Sequence, residues 1–101
     1  MSESAVRMSE SGELLLSGVL DYRSGPDLRK QGQALIKSST AAALVVDCSA
    51  VVKSSSVGLS LLLCFMRDAQ TVGKPLSIRA MPEDMREIAQ VSELTELLAH
   101  P

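Results

Sequence analysis

Aromatic residues are nearly absent: the 101-residue chain has one Tyr, one Phe and no Trp. With a net charge of −2 as well, it lacks both the stacking platforms and the basic footprint of a nucleic-acid binder. Histidine occurs once, as His100 beside the C-terminus, so a metal site or a Ser–His nucleophile has no partner at hand. The two cysteines, Cys48 and Cys64, lie in apolar segments without flanking ligands and read as small buried hydrophobes in a reducing compartment. No G-x-S-x-G elbow and no G-x-x-x-x-G-K-[ST] loop is present. The acids mostly fall at helix starts or beside bases, as Glu83, Asp84 and Arg86 do, which are ordinary solvated or capping roles. No apolar run is long enough to span a bilayer, and Met1–Ser4 lacks the basic and apolar regions of a signal peptide. A soluble cytosolic protein without catalytic residues, cofactor or metal is expected.

What is present is apolar bulk and alternation. Hydrophobic residues make up 46% of the chain, enough for one domain with a real core and no need of disulfides. Residues 1–4 are expected to be loose. Ala5–Met8 reads as a short edge strand, Ser9–Gly12 as a turn and Glu13–Val19 as a second strand forming a hairpin with the first. Gly18 marks a bulge or a close backbone approach. Ser24, Pro26 and Asp27 open a helix as N-cap, first-turn proline and dipole-matched acid. Leu28, Gly32, Leu35 and Ile36 form its inner side, with Arg29, Lys30 and Gln33 opposite.

Ser38–Ala42 reads as a loop and Ala43–Val46 as a central strand covered on both faces. Gly58–Val72 reads as a helix with one stripe of Leu59, Leu62, Leu63 and Met66 and a second strip of Leu61 and Phe65. Its first two turns are apolar almost all round, and part of that surface is expected to meet a partner. Gly73 and Pro75 stop it, Leu76–Arg79 is a fourth strand, and Pro82, Glu83 and Asp84 open a further helix with Met85, Ile88 and Ala89 inward. Ser92 caps a last short helix carrying Leu94, Leu97 and Leu98. The alternation implies an α/β fold with a mostly parallel sheet of about four strands and crossover helices.

The candidate site lies where the central strand feeds the second helix. Ser54, Ser55 and Ser56 place hydroxyls and backbone N–H groups together at a helix start. That arrangement caps a helix, binds an anion or carries a phosphate as a switch. Asp47, after the strand, either caps a turn or holds the serine loop in shape. In a parallel sheet the loops after successive strands gather on one edge, which brings Asp21 toward Ser55 and Ser56. Tyr22 is either a rim contact or a core filler.

Three segments, Leu16-Ser17-Gly18-Val19-Leu20-Asp21, Val45-Val46-Asp47-Cys48-Ser49 and Ser55-Ser56-Val57-Gly58-Leu59-Ser60-Leu61-Leu62, resemble in order and spacing those of a STAS domain. The likeness spans residues 5–99, so the chain reads as one such domain over 1–101. In that family a switch hydroxyl falls on Ser56, while the acid before it falls on Ser55 and the small residue after it on Val57. The missing acid speaks against an anti-sigma type of serine kinase. Within the family the chain looks most like the cytoplasmic STAS subunit of Mla-type phospholipid-transporting ABC transporters. The resemblance implies a non-enzymatic subunit bound to an ATPase and, through it, to a membrane permease. Its partner contacts would be Tyr22, Arg29, Lys53, Ser55, Ser56, Val57, Leu59 and Ser60. The alternative it implies is an anti-sigma-factor antagonist phosphorylated at Ser56.

Overall fold

The computed structural model describes residues 4–91. The expected last helix from Ser92 and most of the loose N-terminus lie outside the described residues, although Ser4 is placed, its hydroxyl donating to the Val19 carbonyl. The element order is β1 (Ala5–Met8), β2 (Glu13–Leu20), α1 (Gly25–Ser38), β3 (Leu44–Ser54), α2 (Ser56–Thr71), β4 (Leu76–Arg79) and α3 (Glu83–Val91).

The strands lie side by side in the order β1-β2-β3-β4. β1 runs antiparallel to β2, as a tight hairpin requires, and β2, β3 and β4 run parallel, each joined to the next through a helix. β2 shows why the sheet forms: Leu14, Leu16, Gly18 and Leu20 are buried while the residues between them are only half covered. Leu14, Leu16, Leu20, Val46, Leu28, Ile36, Leu62, Phe65 and Met85 belong to one buried cluster, to which α1, α2 and α3 contribute. Val45 and Asp47, on the opposite face of β3, are half-buried, so that face is less covered than expected.

β3 departs most from the sequence reading. It does not stop at Val46 but continues through Asp47, Ser49 and Lys53 to Ser54. The reason is its neighbour: β2 offers backbone partners along its whole length, ending with Val19 beside Lys53 and Leu20 beside Ser54. Two register shifts absorb the extra β3 residues, between Leu15 and Ser17 and between Gly18 and Val19 on the β2 side. Asp47 therefore sits within the strand, away from the serines. Its carboxylate accepts from Arg79 at 2.7 Å and from the Ser49 N–H at 2.9 Å. Arg79 also reaches Glu13, tying β2, β3 and β4 together. These contacts hold the Asp47 carboxyl at about 2, chiefly through the Arg79 hydrogen bond and then the Ser49 N–H.

α1 and α2 pack closely through small residues. A β-carbon on Gly25 would stand 2.8 Å from Val57 Cγ1, and one on Gly32 would stand 2.3 Å from Phe65 Cε1. Part of the second apolar strip of α2 is thus spent on α1 through Phe65; Leu61 is buried as well. The polar side of α1 is also less solvated than expected. Arg29 and Gln33 turn toward α2 and hydrogen-bond the buried Asp68, Gln33 at 3.4 Å.

Candidate docking groove at the sheet edge

Because β2, β3 and β4 are parallel, they point to one end of the sheet; β2 and β3 end there together, at Leu20 beside Ser54, and α1, α2 and, through Asp84, α3 begin near it. The serines at this edge form no loop. Ser54 is the last residue of β3, Ser55 is the N-cap of α2, and Ser56 is the first helical residue. Ser55 Oγ accepts from the Val57 N–H at 3.2 Å and donates to the Leu20 carbonyl at 3.3 Å. The Ser55 N–H donates to the same carbonyl at 3.0 Å, so Ser55 both caps α2 and fixes it to the end of β2. Ser56 is exposed, and its carbonyl accepts from Ser60 Oγ at 3.4 Å. Lys53 is exposed one residue before the end of β3.

The segment Asp21–Ser24 forms the neighbouring wall. The Asp21 carboxylate accepts from the N–H groups of Arg23 at 2.9 Å and Ser24 at 3.2 Å, which keep its carboxyl below the usual value, Ser24 having the larger effect. Leu20 and Ser55 are bonded neighbours, so Asp21 does follow directly on the serine edge, yet its carboxylate is spent on its own turn. Ser24 is the N-cap residue of α1, as expected, but its side chain makes no capping bond. Its hydroxyl donates to the Val19 carbonyl at 2.9 Å and accepts from the Asp21 N–H at 3.1 Å. This tight turn throws Tyr22 outward, 73% exposed, with the Arg23 guanidinium 5.6 Å from its ring centre. Tyr22 is therefore a rim residue.

Between these walls lies a shallow groove of about 370 Å³, lined by Tyr22, Pro26 and Arg29 on one side and Val57, Ser60 and Cys64 on the other. Its floor is Leu61 and the backbone of Gly25. Of the residues implied as partner contacts, Tyr22, Arg29, Val57 and Ser60 meet here, and Ser55 and Ser56 continue its edge. Leu59 does not belong with them. It is only 3% exposed and packs in the core, because the helical turn that shows Ser56 and Ser60 to solvent points Leu59 to the sheet. Arg29 lines the groove, but its charge is already paired with Asp68. Four lining residues, Gly25, Pro26, Leu61 and Cys64, lie outside the contacts implied by the sequence. Pro26 lines the groove as well as starting α1, and Cys64 is half-buried on the groove wall rather than in the core.

The family model described as "Mlab, STAS domain" matches residues 4–99. The chain belongs to the MlaB-type STAS-domain family. A chain of the Acinetobacter MlaFEDB complex in its ATP-bound Vtrans2 conformation matches with a TM-score of 0.75 and 27% identity, covering 95% of this chain and 100% of that one. An anti-sigma factor antagonist from Mycobacterium paratuberculosis matches with a TM-score of 0.74 and 23% identity over 100% of this chain and 86% of that one. The Bacillus cell-fate determinant SpoIIAA in its phosphorylated form matches with a TM-score of 0.66 and 20% identity over 93% and 86%. The last two show a shared fold. Among the described residues no helix is long and apolar enough to cross a membrane.

Proposed function

We propose that this chain is a non-enzymatic regulatory or assembly subunit of an Mla-type ABC transporter that moves phospholipid and maintains outer-membrane lipid asymmetry. It docks on the transporter's ATPase subunit from the cytoplasm, and through that subunit associates with the membrane permease. The observation that carries this reading is the family match across residues 4–99, joined to a groove where Tyr22, Val57 and Ser60 converge beside the exposed Ser56. Such a surface combines an apolar floor with a polar rim, as protein interfaces do.

Co-expression with an Mla-type ATPase and co-elution by size exclusion tests the assignment. Ser56→Glu places a charge at the contact and is expected to weaken binding by about 2–5 kcal/mol if the site is fully desolvated. Unchanged affinity of that variant rejects Ser56 as a central contact, and no co-elution of the wild type rejects the partner.

The exposed Ser56 hydroxyl also supports a second reading, an anti-sigma-factor antagonist switched by phosphorylation there. A phosphate of about −1.5 to −2 charge on the first residue of α2 would suit the helix dipole while obstructing the groove edge. Intact-mass measurement on protein from native cells across growth conditions tests it; a consistently unmodified population argues against this reading.

A further inference from the structure

We propose that Asp84, on α3 and not among the groove-lining residues, is a positioning residue for the docking edge. Its carboxylate holds the end of β3, and so sets where α2 begins. The proposal rests on the docking reading for its functional consequence, though not for its structural one.

Two contacts across to Ser54 and Gly58, and one within α3, make a seam between α3 and the start of α2. Asp84 Oδ2 accepts from the Ser54 N–H at 3.2 Å. β4 pairs with β3 only from Leu44 to Asp47, so the Ser54 N–H is beyond the reach of that ladder. A side chain from a different helix supplies the acceptor instead, and Ser54 is buried, where an unpaired N–H is costly. Asp84 Oδ1 accepts from the Met85 N–H at 2.8 Å, which fixes the carboxylate on its own helix. Met85, fully buried, then packs under Gly58: a β-carbon there would stand 3.0 Å from Met85 Cε and 1.9 Å from Ser54 Oγ. Ser54 and Gly58 are thus clasped from the α3 side, and the residues between them are Ser55, Ser56 and Val57, the groove edge itself. Removing the carboxylate frees the Ser54 N–H and loosens the clasp while leaving β2 and its ladder intact.

The test compares Asp84→Ala with Asp84→Asn, which keeps an oxygen acceptor, and with Glu83→Ala, which removes the adjacent first-turn carboxylate. Amide hydrogen exchange is read residue by residue. In Asp84→Ala the Ser54, Val57 and Gly58 amides are expected to exchange at least about tenfold faster, with Leu14 and Leu16 of β2 matching the Glu83→Ala protein. Asp84→Asn is expected to recover most of the protection. Wild-type exchange at Ser54 in Asp84→Ala overturns the proposal, and so does an equal rise across β2. Binding to the Mla-type ATPase is measured on the same proteins, with about a tenfold loss expected for Asp84→Ala alone. Equal affinity of Asp84→Ala and wild type overturns the positioning role. Failure of the wild type to bind instead removes the docking reading, and the exchange result then decides the clasp by itself.

Discussion

Gly32 of α1 lies against the ring of Phe65 of α2, so closely that a β-carbon would stand 2.3 Å from Cε1 and 2.5 Å from Cζ. Phe65 is fully buried, so its ring has no free space into which to retreat. Gly32→Ala pits a helix-propensity gain of about 1 kcal/mol against overpacking that costs about 1–3 kcal/mol. The strain is expected to win, lowering the unfolding midpoint and spreading α1 from α2. A thermal melt checks it: each 1 kcal/mol corresponds to about 4–8 °C in a domain of this size. An unchanged or higher midpoint would show that the two helices separate without cost.

The Arg29–Asp68 pair closes the same helix–helix seam. Asp68 is only 4% exposed, and Arg29 and Gln33 are its hydrogen-bond donors. Arg29→Ala strands a buried carboxylate and is expected to destabilise the fold by about 1–3 kcal/mol, the arginine end being partly solvated. The double change Arg29→Met with Asp68→Leu removes both charges and is expected to recover most of the loss. Urea unfolding of the two proteins separates the cases. A double variant as unstable as the single one would mean that packing, not the charge, sets the cost.

The fold was legible where local pattern and tertiary environment agree. Leu14, Leu16 and Leu20 alternate as a half-buried strand must, and Gly73 with Pro75 ends α2 within residues of the expected place. The second half of β3 was not legible. Asp47, Ser49 and Lys53 argue for a loop, and only the partner backbone of β2 makes them a strand. At the site, the exposed serines and Tyr22 could be singled out by residue type. Leu59 could not be separated from Leu61 and Cys64, since all three look alike until the helix is docked and one face is given to the sheet. The roles of Asp47, Asp68 and Asp84 depend on partners far along the chain, Arg79, Arg29 and Ser54, and no local spacing announces them.

Acid should loosen the sheet at Asp47. Its carboxyl is held at about 2 in the folded protein against an ordinary 3.8, so the unfolded chain binds the proton first. The stabilisation is complete above about pH 5 and is lost as pH falls through 3.8 toward 2. Arg79 is half exposed, so screening limits the effect to about 1 kcal/mol. Asp47→Asn is expected to be less stable than wild type at pH 7 and to match it near pH 2. Denaturant titrations at the two pH values check this; an equal gap at both would assign the loss to packing rather than to the ion pair.

The two cysteines provide a direct report on the groove. Burial pushes the Cys48 thiol up to about 12, with the Asp47 carboxylate adding to the effect, so it forms no thiolate near neutral pH. Cys64 is half-buried on the groove wall beside Val57 and Ser60. A maleimide on the native protein is therefore expected to label Cys64 and leave Cys48 unmodified until the chain is unfolded. Adding the Mla-type ATPase should then slow Cys64 labelling if the groove is the docking surface. Mass spectrometry of the labelled protein distinguishes the outcomes. Protection places the partner over the wall formed by α1 and α2. Stable co-elution without protection would move the contact off the groove, to the exposed Ser55–Ser56 edge alone.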